Sequence, residues 1–170
     1  ATRVREDGMV SINLGSPDFS PAALPFDTDG PADGYELQLE SGPVSFAVCS
    51  MGNPHAVIAV DSVAEAPVAI IGAELAAHPA FPDSVNVGFM ELVSAAHIRL
   101  RVFERGIGET LSCGTGAAAA VATGRRRGLL EPKVTVDLPG GSLEVEWPGD
   151  GADLWQTGHT ATVYEGVIEI

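Results

Sequence analysis

Residues 117–121, Ala-Ala-Ala-Ala-Val, lie in a segment that reads as one helix over about residues 114–127, and they leave that helix with no polar side. A helix that is apolar all round has to be covered all round, because any bare face would hold hydrocarbon against water. Gly128 supplies a C-terminal stop, and Arg125, Arg126 and Arg127 stand where cations suit the helix dipole, as solvated charges. The rest of the chain therefore has to provide the cover.

Strands are the material available for it. Apolar and polar residues alternate over residues 9–14, 35–39 and 97–103; in the last run Ile98, Leu100 and Val102 share one face, with Arg99 and Arg101 on the other. Further β-rich runs occupy residues 44–48, 56–60, 85–93, 134–138, 142–147, 160–164 and 167–170. Pro139-Gly140-Gly141 is a hairpin signal and Glu165-Gly166 a weaker one. Residues 15–34 form a loop rich in Pro and Asp, and a second helix spans residues 67–77 from Pro67 to the His78-Pro79 boundary. The expected architecture is α+β: a mostly antiparallel sheet curved into a barrel-like layer around the central Ala-rich helix.

Composition narrows the function. At 170 residues the chain fits one domain, and a domain of that size buries roughly 70% of its unfolded surface. Two cysteines are too few for a disulfide scaffold and suit a reducing compartment. With 9 Lys and Arg against 23 Asp and Glu, the net charge of -14 repels nucleic acid and anionic membrane surfaces. The longest apolar stretches are well short of the roughly 18–20 residues that span a bilayer. Small molecules or protein are the expected partners. The N-terminus has neither Met nor an apolar signal region, and it reads as the start of a truncated or processed chain.

Chemistry concentrates in residues 103–116, Phe-Glu-Arg-Gly-Ile-Gly-Glu-Thr-Leu-Ser-Cys-Gly-Thr-Gly, within the window 99–133 that holds every interior Lys and Arg. A strand delivers Glu104 and Arg105 to its end, a glycine turn follows, and Cys113 arrives at the start of the Ala-rich helix. The N–H groups of residues 113–116 have no intrahelical partners there and can receive a carboxylate or phosphate. The same position favours thiolate, and thiols at helix N-termini or beside cations reach pKa values of about 3.5–7.5, so Cys113 reads as a base or nucleophile near neutral pH. Cys49, in an apolar run, reads as an inert core thiol.

Other readings of these residues fail. Leu111 occupies the third glycine of a dinucleotide fingerprint, and the chain has no Gly-Lys pair for a P-loop. His55, His78, His97 and His159 are widely separated, and no Cys-x-x-Cys or His-x-x-x-His occurs, so no metal site is expected. Lys133 is the only lysine and follows Pro132, which argues against a pyridoxal cofactor. Asn53 and His55, in Met-Gly-Asn-Pro-His, stand on a turn at a strand end. Asn86 is odder, because a buried amide in an apolar strand needs partners or a ligand.

These motifs together carry a resemblance. Met-Gly-Asn-Pro-His at 51–55, Asn-Val-Gly-Phe-Met at 86–90, Glu-Arg-Gly-x-Gly-Glu-Thr at 104–110, Cys-Gly-Thr-Gly at 113–116 and Leu-Pro-Gly-Gly at 138–141 closely resemble the C-terminal half of the diaminopimelate epimerase family. The resemblance implies residues 1–170 as a single C-terminal lobe, its sheet curved around a central helix, with the N-terminal lobe and its second thiol absent from this chain. It implies a cytoplasmic, cofactor-independent isomerase of lysine and peptidoglycan precursor synthesis, interconverting LL- and meso-2,6-diaminopimelate, and it is consistent with a homodimer of the full-length enzyme. Position by position, it implies Cys113 as one catalytic thiol, with Gly114 and Thr115 N–H groups on the α-carboxylate. Asn53, Asn86 and Arg105 would hold the distal end, Glu104 would meet the α-ammonium group, and His55 and Glu104 would set the protonation of the thiols. The isolated chain is expected to be inactive. Three alternatives stay open: a related cofactor-independent isomerase or racemase of the same fold, a cysteine acyl-transfer enzyme pairing Cys113 with His55 or His159, and a non-catalytic anion-binding lobe.

Overall fold

The computed structural model describes residues 1–28, 30 and 33–168. Among these, the elements in chain order are β1 (Thr2–Val4), β2 (Val10–Gly15), β3 (Tyr35–Leu39), β4 (Gly42–Ser50), β5 (Pro54–Val60), α1 (Val68–Ala76), β6 (Asn86–Ser94), β7 (His97–Glu104), β8 (Gly108–Thr110), α2 (Gly114–Arg126), β9 (Lys133–Leu138), β10 (Gly141–Glu146) and β11 (Leu154–Gly158). They form one sheet in the order β1-β2-β11-β10-β9-β7-β6-β5-β4-β3, with β8 added to β7. The pairs β5/β6 and β7/β9 are parallel. Every other named pairing is antiparallel.

Helix α2 is enclosed as its composition requires. Residues Ala117, Ala118, Ala119, Ala120, Val121 and Ala122 are fully buried, and the helix touches β4, β5, β6, β7, β10 and β11. Side chains larger than a methyl group have little room against so many strands: a Cβ at Gly124 would sit 2.5 Å from Leu130 Cδ1 and one at Gly116 3.1 Å from Val102 Cγ2. Gly128, at φ +73°, ends the helix in the left-handed conformation that a side chain disfavours.

A second core lies under α1. Val68 and Leu75 pack with an aromatic group in which Phe26 stacks on Phe81 at 4.5 Å between ring centroids and meets Tyr35 edge-on at 4.8 Å. Gly72 of α1 lies over Phe103, where an added Cβ would come within 2.6 Å of the side chain. Phe103 is thereby held immediately before Glu104.

Several expectations need correction. Residues 160–164 form no strand; Val163 and Tyr164 are 87% and 85% exposed, because β-branched and aromatic residues make a strand only where a neighbour offers ladder bonds and a surface to pack on. Val167 and Ile168 are likewise exposed and outside any strand, the Glu165-Gly166 turn joins no hairpin, and the end of the expected 167–170 run lies outside the described residues. Arg125 is not a solvated charge: its Nη2 donates to Pro148 O at 2.7 Å, because the β10–β11 connection folds over the helix end. The short strands β1, β8 and β11 escape the alternation test, having only three to five residues each.

Candidate active site

One end of the central strands β5, β6 and β7 gathers the residues singled out by sequence. The parallel pairing of β5 and β6 sets His55 opposite Asn86, and β7, antiparallel to β6, delivers Glu104 to the same end. The β7–β8 hairpin pairs Glu104 with Gly108 and turns the chain toward Cys113, which is the N-cap of α2 in extended conformation.

Around the sulfur the polar groups form a chain of hydrogen bonds. Asn53 Nδ2 donates to Thr115 Oγ1 at 3.3 Å, and Asn53 Oδ1 lies 3.1 Å from His55 Nε2. A carboxamide oxygen only accepts, so the His55 proton belongs on Nε2. Thr115 Oγ1, having accepted from Asn53, is 3.8 Å from Cys113 Sγ and can donate its own proton to the sulfur. His55 is 1% exposed, and burial, aided by the charge of Arg105, pushes its pKa down to about 4. It is neutral at physiological pH.

Cys113 differs from the sequence expectation. Burial is the largest influence and raises its pKa; the Gly116 N–H and Thr115 hydroxyl act against it, and the charge and accepting oxygen of Glu104 add to it. No side chain closes the helix start with a full capping bond, but the Gly116 amide lies close enough to favour the charged sulfur. The helix start does stabilise thiolate; desolvation and Glu104 outweigh it in this arrangement. Cys113 therefore rests as a thiol. Cys49 is fully buried in the core with its pKa raised to about 12, chiefly by burial and then by the charge of Asp18.

Asn86 has structural partners. Its Nδ2 donates to Pro54 O at 2.9 Å and its Oδ1 accepts from the Arg105 backbone N–H at 3.0 Å, so it ties the β5 and β7 ends together. The Arg105 side chain is exposed and donates through Nη1 to Asp83 O at 2.8 Å. Gly114 and Thr115 form the first turn of α2. His55 bonds to Asn53 and not to Cys113, and His159 is exposed beyond the end of β11; among the described residues no thiol–imidazole pair supports acyl transfer. Open grooves of about 400 and 440 Å³ are lined by residues such as Tyr35 and Arg127, and Leu39 and His78, and by none of the site residues.

Two neighbours of the site were given no role by the sequence, although Thr110 closes the motif at 104–110. Gln156 of β11 is 6% exposed and donates through Nε2 to Gly114 O at 2.9 Å, pinning the first turn of α2. A Cβ at Gly114 would come 2.9 Å from Gln156 Oε1, which accounts for the glycine. Thr110 of β8 donates to Glu104 Oε1 at 2.5 Å. Sheet pairing brings both of them here.

Comparison with known proteins identifies the fold and the family. The fold is that of a solved hydroxyproline epimerase from Agrobacterium vitis, which aligns with a TM-score of 0.63 at 19% identity over 93% of this chain and 53% of that one. In sequence, the family model described as diaminopimelate epimerase matches residues 47–163, and the chain belongs to that family. It is 51% identical to the diaminopimelate epimerase of Alkalilimnicola ehrlichii over 99% of its own length and 60% of that protein. It is 53% identical to that of Azoarcus sp. over 100% of its own length and 61% of the relative. The chain thus spans about 60% of the length of the curated relatives it matches.

Proposed function

We propose that these 170 residues are the C-terminal lobe of an enzyme that interconverts LL- and meso-2,6-diaminopimelate without a cofactor, and that Cys113 is one of its two thiols. The observation that carries the reading is Cys113 at the N-cap of α2, with Thr115 in the same helix start and Asn53, His55 and Glu104 brought to that end from two other places in the chain. An amino-acid α-hydrogen is weakly acidic, and its removal calls for a desolvated base with fixed dipoles facing the carboxylate that gathers the charge. Gly114 and Thr115 N–H groups supply the dipoles. The Cys113 thiolate takes the α-proton as the C–H electron pair moves onto carbon and carboxylate, and a thiol on the opposite face returns a proton to the carbon. In the reverse direction Cys113 is the donor.

Glu104 receives the α-ammonium group of the substrate in this reading, and that contact draws its negative charge away from the sulfur. The exposed Arg105 guanidinium suits the distal carboxylate, with Asn53 and Asn86 beside it. Cys49, fully buried with a thiol of pKa about 12, is a poor candidate for the second thiol. A lobe outside this chain would supply it. A homodimer and a cytoplasmic location belong to the same proposal; among the described residues no helix is long and apolar enough to cross a membrane.

The test is solvent deuterium incorporation at the α-carbon of LL-diaminopimelate. The 170-residue chain incorporates none, and the same residues joined to the N-terminal part of a relative do. In that longer enzyme Cys113→Ala lowers the rate by about 10²–10⁴-fold, while Cys49→Ala leaves it within about twofold. Exchange by the 170 residues alone overturns the two-lobe reading, and full exchange in Cys113→Ala overturns the role of the thiol.

A further inference from the structure

Glu104 owes its place to a residue that nothing in the motif reading assigned. The β7–β8 hairpin has two faces. Toward one side, Arg101 grips Glu109 through two parallel bonds, Nε to Oε1 at 2.6 Å and Nη2 to Oε2 at 2.9 Å, and its Nη1 also donates to Val63 O at 2.6 Å. A planar guanidinium held by a carboxylate and a backbone carbonyl leaves the hairpin little freedom to twist. Toward the other side, the register pairs Glu104 with Gly108 and Val102 with Thr110, so Thr110 and Glu104 share the face that meets the start of α2. Thr110 Oγ1 donates to Glu104 Oε1 across that face.

We propose that Thr110 is a positioning residue that holds the Glu104 carboxylate on the hairpin face that meets the start of α2, and so acts on Cys113 through it. The inference rests on the reading of Cys113 as an active thiol. A carboxylate on a side chain with three rotatable bonds has many places to go at a half-exposed hairpin end, and a hydroxyl donor on one oxygen narrows where the other can lie. Thr110 is neutral and bonds to Glu104, and it acts on the thiol through that carboxylate. The bonding of Arg101 to Glu109 sets the hairpin, and Thr110 sets the one carboxylate on it that matters.

The experiment is the pH dependence of Cys113 alkylation by iodoacetamide, followed by peptide mapping so that Cys49 does not contribute. Thr110→Val releases Glu104, and the midpoint for Cys113 falls, raising its alkylation rate near neutral pH about three- to tenfold. Thr110→Ser, which keeps the donor, restores the original profile. Glu104→Gln removes the charge and lowers the midpoint by itself, and in that background Thr110→Val has no further effect, because the group through which it acts is gone. A Thr110→Val profile identical to the parent overturns the proposal. So does an equal shift with and without Glu104, which marks a general loosening of the hairpin. Failure of the epimerase reading is visible separately, as absent deuterium exchange in the longer enzyme with these alkylation shifts intact.

Discussion

Cys49 and Cys113 are both buried free thiols, both packed into the core around α2, and burial raises the pKa of both. They differ in what stands around the sulfur. Cys49, one residue before the end of β4 and paired with His55, has Ser50 O at 3.7 Å and the Met51 sulfur at 4.0 Å, one an acceptor and the other a soft neighbour. Nothing there stabilises a negative sulfur, apart from the charge of Arg126 acting weakly against burial. Cys113 faces the Gly116 N–H and the Thr115 hydroxyl, two donors directed at the sulfur, with Glu104 acting against them. Burial makes a thiol inert only when the cavity offers the anion no donors; where donors are built in, the same burial holds the thiol in reserve.

The largest expected contrast is in reactivity. At about pH 8.5 iodoacetamide labels Cys113 faster than Cys49, since a thiol with a pKa of about 12 is almost wholly protonated there and Cys49 is also shielded. Equal rates in the folded chain would break the comparison. Next comes the dependence of stability on pH, because the pocket that restrains Cys113 also keeps His55 neutral. The folded His55 titrates at about 4, below its ordinary 6.5, so between those values the unfolded chain binds more protons. Its contribution is complete above the unfolded value and is lost as the pH falls through that window, by up to about 3 kcal/mol. Urea melts across the range should show this slope, and His55→Gln should flatten it; an unchanged slope would show that His55 is not held neutral. The smallest effect sharpens the difference in donors. Cys49→Ser places a hydroxyl in the core and costs roughly 1–3 kcal/mol, whereas Cys113→Ser finds polar partners and costs less than about 1 kcal/mol. Chemical denaturation compares the two, and equal costs would mean that the Cys113 site is no more polar than the Cys49 core.

Much of the site could be read before folding, and for specific reasons. Cys113, Gly114 and Thr115 announce themselves because a helix start needs a cap and a glycine-bearing turn needs glycines, both local requirements. Asn53 was legible as a turn residue beside a strand, whereas His55, expected on the same turn, lies buried within β5. Asn86 was legible as an anomaly, an amide in an apolar run, and its partners proved to be Pro54 O and the Arg105 N–H. Thr110 stood in the motif at 104–110 without a role, and Gln156 was not legible; each reaches its partner through strand pairing across the sheet. The expected strand over residues 160–164 failed for the converse reason: its residues fit a sheet, but strand propensity does not supply a neighbour.

The sequence by itself determined that α2 would be buried on every side, that strands would bury it, and that a thiol would stand at its first turn, because composition, periodicity and capping are properties of adjacent residues. Only the tertiary structure decided the state of that thiol. Its charge balance depends on how deeply the helix start is covered, on the hairpin that turns Glu104 toward it, and on the Thr115 hydroxyl held by Asn53 from another strand end. Desolvation and electrostatics act through space, and no run of residues encodes a distance between groups that the chain brings together only when it folds.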